Sequence, residues 1–91
     1  MLETLEEKYW RVFQEEGPLE LEEFLEQVKE GRHGPVTPEE IDAFLDDVLQ
    51  TMLANIQLKA TESPHFEAMR PEVEAQTEER IRRLKAQYGK G

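Results

Sequence analysis

The sequence predicts an all-α fold: a small bundle of four to five helices with a central third helix and a Pro-kinked C-terminal helix. Apolar residues recur at three- and four-residue spacing along most of the chain, and no segment shows the apolar–polar alternation of a strand. Composition agrees: 37% of residues are hydrophobic and 35% are charged, against about 25% charged in an ordinary globular chain. That balance suits amphipathic helices with solvated outer faces. A chain of 91 residues is short enough that one core is the expectation. Residues 1–91 are therefore read as a single helical domain, with 89–91 as a frayed tail.

Leu2, Leu5, Tyr9, Val12 and Phe13 carry the first stripe, and Gly17-Pro18 stops it, so the first helix is expected over about 2–16. Trp10 stands beside the stripe, where it either widens the buried face or meets a second surface. Leu21, Phe24, Leu25 and Val28 define a second helix over about 20–30, closed by Gly31 where helices commonly turn left-handed. After the loop Arg32-His33-Gly34-Pro35, Thr37 reads as a cap with Pro38 in the first turn and Glu40 bonding back in a capping box. Gly17-Pro18-Leu19 and Gly34-Pro35-Val36 precede the second and third helices alike, with Leu19 and Phe24, then Val36 and Ile41, as hydrophobic staples. We read shared start chemistry rather than a duplicated unit.

The third helix has the strongest rhythm: Ile41, Phe44, Leu45, Val48, Leu49, Met52, Leu53 and Ile56. At some 22 residues it spans about 33 Å, roughly the diameter of a globule this size, so several neighbours have to cover it. From Val48 to Leu58 there is no charged residue, which points to burial on more than one side. Ser63 and Pro64 start another helix. Phe66, Met69 and Val73 continue its stripe through Pro71. A proline lacks the amide donor and crowds the preceding turn, so a short piece over about 64–70 and a longer helix over 71–88 are expected.

Charge is distributed unevenly. Residues 1–50 hold 15 acidic and 4 basic groups, a charge of −11, and residues 51–91 hold 6 acidic and 7 basic, +1. Arg80, Arg82, Arg83 and Lys85 make the C-terminal helix basic. Such a helix complements its own dipole or lies along the acidic faces of the first two helices, in this chain or a neighbour. Glu22, Glu23, Glu26, Asp46 and Asp47 form the candidate acidic face.

Candidate chemistry is thin. Without cysteine there is no disulfide, thiolate nucleophile or cysteine-ligated metal. Glu62 and His65 have the Glu-x-x-His spacing of di-iron bundles, but Ser63-Pro64 interrupts the helix between them and no second such motif exists. His33 sits in a glycine-rich turn with no second catalytic group beside it. Ser63, the only serine, is accounted for as a cap, and no glycine-rich phosphate loop is present. We therefore expect no enzyme, no cofactor and no metal. Direct nucleic-acid binding is not expected either, because only the last dozen residues offer the basic footprint it requires. No apolar run is long enough to span a bilayer, and the acidic start Met1-Leu2-Glu3-Thr4-Leu5-Glu6-Glu7 lacks the basic-then-apolar order of a signal peptide. The expectation is a soluble, cytoplasmic chain.

A marginal core in a small chain is commonly remedied by oligomerisation, so a homodimer or higher assembly is expected. Function is read as a non-enzymatic protein-interaction module, an adaptor, accessory subunit or regulator, with its acidic face toward a basic partner. Tyr9 and Trp10 would be aromatic anchors, with Val48, Met52, Leu53 and Ile56 at an interface. The alternative is an acidic regulator that mimics nucleic acid in a basic protein groove.

Overall fold

Local signals place four helices among the described residues: α1 (Leu5–Glu16), α2 (Leu21–Lys29), α3 (Pro38–Glu62) and α4 (Pro64–Tyr88). The computed structural model describes residues 3–90. The helix expected from residue 2 starts at Leu5 instead, because Thr4 is extended and caps it; Leu2 itself, and Gly91 at the end of the expected frayed tail, lie outside the described residues.

Thr4 caps α1 in a reciprocal capping box: the Glu7 amide donates to Thr4 Oγ1 at 3.2 Å, and the Thr4 amide donates to the Glu7 carboxylate at 3.3 Å. The box expected at Thr37 is half formed. Thr37 accepts from the Glu40 amide at 3.2 Å, and among the described residues no return bond from the Glu40 side chain reaches the cap. Gly17, at φ +90°, ends α1 while donating to the Phe13 carbonyl. A side chain rarely adopts that backbone, so the turn requires glycine. Leu19 and Val36, just before α2 and α3, both pack against the core.

One residue joins the two long helices. Pro64 disfavours a helical conformation in the residue before it, and Ser63 is extended at φ −137°, ψ 114°. Its amide donates to the Lys59 carbonyl at 3.0 Å, closing α3, while its Oγ accepts from the Phe66 amide at 3.3 Å, opening α4. Lys85 pairs with Asp46, and the Lys90 amide donates to Asp42 at 3.2 Å. The paired positions recede from Ser63 together, so α3 and α4 form an antiparallel hairpin.

The expected division of the C-terminal segment at residue 70 does not occur, since α4 runs unbroken through Pro71. Pro71 is exposed, so the carbonyl it leaves without a donor has solvent as an alternative partner. Phe66 and Val73, on either side of it, share a groove with Ile56 of α3, and that packing holds both parts of the helix to one neighbour.

The core fills the end of the hairpin away from Ser63. Phe24, Leu25, Leu45 and Ile81 are fully buried, each worth about 1.5–3 kcal/mol relative to exposure. The Tyr9 ring centroid lies 5.0 Å from Phe24 and 5.9 Å from Phe44, within the range of favourable aromatic pairs. Among the described residues no buried side-chain polar atom lacks a partner. The short helices α1 and α2, of 12 and 9 residues, cannot cover two helices of 25 residues along their length. Toward Ser63 only Ile56 and Ala60 of α3 are buried, outside the main core. The result is elongated, 43 × 29 × 22 Å, with one end of the hairpin bare.

Candidate interaction surface

α1 turns its aromatic residues in two directions. Tyr9 faces the core and donates its hydroxyl to the Leu19 carbonyl at 2.9 Å. Burial, with the nearby Glu20 carboxylate, pushes its phenol pKa up. Trp10 and Phe13 face outward, 45% and 37% exposed, in an edge-to-face pair at 5.8 Å. Exposed aromatics in contact with one another mark an interaction site more often than isolated ones do.

Below Trp10 a cavity of about 140 Å³ runs between α1 and α3, walled by Glu6, Tyr9 and Trp10 and floored by Val48, Thr51, Met52 and Asn55. Met52 and Asn55 also line a more open groove of about 330 Å³ between α3 and α4, with Ile56 and Lys59 on one side and Phe66, Val73 and Thr77 on the other. The two join into a trough along α3. Its charged lining residues are Glu6 at one end and Lys59 at the other. Tyr9, Trp10, Val48, Met52 and Ile56 all line it, as one surface. Leu53 is half-buried and lines neither part. Sequence reasoning missed Phe66 and Val73 as the α4 wall, although their three- and four-residue spacing through Pro71 carried the signal.

The acidic face is partly consumed within the chain. Arg80 reaches from α4 to Glu22 of α2 with two charge-assisted bonds, Nε at 2.8 Å and Nη2 at 2.6 Å, and lies 3.9 Å from Glu20. Arg80's bonds hold the Glu22 carboxyl below the usual range, and Glu22's bonds raise Arg80 in turn. Lys85 pairs with Asp46 of α3. The Tyr88 hydroxyl donates to Glu26, which pushes its pKa up to about 12. Lys90 adds a 3.7 Å ion pair to Glu39, and the Lys90 amide bond to Asp42 also ties the chain end down. Arg82 pairs within α4, with Glu79 at 2.6 Å, and Arg83 is exposed. The basic helix therefore lies along acids of α2 and α3 in its own chain; α3 takes the place expected of the first helix. Glu23 and Asp47 remain exposed with no ion-pair partner among the described residues.

His33 is half-buried, its ring 4.9 Å from Phe24 and its Nε2 3.0 Å from Gln27 Oε1. Burial lowers its pKa, and Lys8, whose Nζ donates to the His33 carbonyl at 2.9 Å, lowers it further. These bonds pin the turn to α1 and α2. His65 is exposed on α4, while Glu62 ends α3. Among the described residues no group of three His, Cys, Asp or Glu is placed to hold a metal, and no helix is long and apolar enough to cross a membrane. What the surface offers chemically is burial of apolar area between one acid, Glu6, and one base, Lys59. Comparison with family models, curated proteins and solved structures returned no match.

Proposed function

We propose that this chain is a non-enzymatic protein-interaction module, an adaptor, accessory subunit or regulator, that works as a homo-oligomer and turns its acidic faces toward a basic partner. One observation carries the reading. The chain offers two chemically distinct surfaces: a nearly uncharged trough with Trp10 at its rim, and outer faces bearing unpaired carboxylates such as Glu23 and Asp47. Apolar burial at the first supplies affinity, and the field of the second speeds encounter with a cationic surface. Mimicry of nucleic acid would draw on free carboxylates, and the pairing of Glu22 with Arg80 and of Asp46 with Lys85 leaves fewer of them for that role.

The test is retention of polypeptides from a nuclease-treated extract on the immobilised chain at low salt. Basic polypeptides are expected to be retained, and to be lost when salt shortens the screening length to about 3 Å at 1 M. A Glu23→Gln/Asp47→Asn chain should retain less. Equal retention by parent and variant, or retention indifferent to salt, would refute the acidic-face reading.

A further inference from the structure

We propose that the trough along α3 is the surface on which a second copy of this chain docks, antiparallel, about a two-fold axis beside Met52 and Asn55. The proposal rests on the interaction-module reading and names the occupant of its uncharged surface.

Each copy carries a formal charge of −10, so two copies repel unless they meet where that charge is absent or paired. The trough is such a place. Its lining runs from Glu6, beside Val48, to Lys59, beside Phe66, with uncharged residues between them. The eleven-residue uncharged stretch from Val48 to Leu58 supplies its floor.

The order of the two charges selects the occupant. A two-fold dimer uses the same patch on both copies, so residue i meets residue j and j meets i. Reversing one trough over another brings Glu6 of each copy toward Lys59 of its mate and lays Met52 and Asn55, shared by both parts of the trough, near the axis. A parallel arrangement instead stacks like charges. A basic partner gains more from the exposed carboxylates elsewhere than from a surface with one acid and one base, and an acidic partner meets the full repulsion of the chain.

At the bare end of the hairpin, α3 and α4 have no third and fourth helix over them among the described residues, and Trp10 at the rim of the trough, its edge-to-face neighbour Phe13, and Met69 of α4 remain more than a third exposed. With the axis beside Met52 and Asn55, a reversed copy lays the α1–α3 part of its own trough over this end and covers the apolar stripe left open there. The carboxylates of the outer faces stay free for a basic partner.

The test is the absolute mass of the intact chain by light scattering on a sizing column, at about 0.15 M salt, where the screening length is about 8 Å. A species of twice the 10.7 kDa chain mass is expected. Met52→Glu sets two carboxylates near each other at the axis and should run at the mass of one chain with unchanged helical circular dichroism. Glu6→Lys or Lys59→Glu alone should weaken the dimer by about tenfold or more, because each change acts twice by symmetry. The double variant reverses both ends and should restore the dimer to within about threefold of the parent. A monomeric parent, a Met52→Glu chain that stays dimeric, or a double variant as weak as either single one would overturn the proposal. Should Met52→Glu alter the dichroism, the charge-reversal series decides. Salt-sensitive retention of basic polypeptides by the same chains separates the two readings: a dimeric parent that retains them but whose Met52→Glu and charge-reversal variants stay dimeric defeats the docking model alone, and a dimer that retains none defeats the basic-partner reading alone.

Discussion

Replacing Phe24 with alanine tests whether the core has the composition described. Phe24 is 0% exposed and is packed against Tyr9, Phe44 and the His33 ring, with centroids at 5.0, 5.6 and 4.9 Å. Truncating a buried phenylalanine costs about 3–5 kcal/mol, the transfer term plus the cavity left behind. Loss of three ring contacts places this site toward the upper end of that range. A chain of this length has a total stability of about 5–14 kcal/mol, so the variant should lose about a third or more of it. The assay is urea unfolding followed by circular dichroism, with parent and variant at one chain concentration because association stabilises the folded state by mass action. Leu58→Ala is the internal control, since Leu58 is an apolar residue on α3 that is 60% exposed, and its cost should stay within about 0.5 kcal/mol. A Phe24→Ala cost below about 1 kcal/mol, or a Leu58→Ala cost equal to it, would refute the assignment of the core.

Three further outcomes follow from single residues. Pro71→Ala restores an amide donor on an exposed position inside α4 and should stabilise the chain by about 1–3 kcal/mol in the same denaturation assay. His33 is held below its ordinary value by burial and by Lys8, so the unfolded chain takes up its proton first, and stability should fall as pH drops below about 6.5. His33→Phe should flatten that limb in thermal melts taken between pH 7 and 5. Tyr88 is pushed up to about 12 by its bond to Glu26, whereas an unfolded tyrosine ionises near 10. Its contribution is therefore intact below pH 10 and is lost as pH rises from about 10 to 12. Tyr88→Phe should lose less stability over that window, with the raised Tyr9 leaving a residual slope.

Much of the helical layout was legible because it depends on neighbours in sequence. The stripe from Ile41 to Ile56 and the punctuation at Gly17, Gly31, Thr37 and Ser63-Pro64 mark α1 to α4 through backbone chemistry that acts over four residues or fewer. Pro71 shows where such reasoning fails. Locally it lacks a donor and argues for a break, yet its exposed position and the packing of Phe66 and Val73 beside Ile56 keep α4 whole. The capping box likewise appears at Thr4 and not in full at Thr37, since the return bond depends on where a flexible Glu40 side chain turns.

The sequence by itself determined which residues are apolar at helical spacing, where helices start and stop, and that the N-terminal half carries the acids and the C-terminal helix the bases. Tertiary structure alone decided which of those groups meet. It gave Glu22 to Arg80 and Asp46 to Lys85, left Glu23 and Asp47 exposed, turned Trp10 outward from its place beside the Tyr9 stripe, and joined Val48, Met52 and Ile56 with Phe66 and Val73 into one trough. The reason is physical. Helix formation is governed by hydrogen bonds four residues apart, whereas the pairing of α4 with α2 spans 58 positions between Arg80 and Glu22. That distance is closed only when the one-residue turn at Ser63 folds α4 back along α3 and two short helices cover half of the hairpin, leaving the other half open.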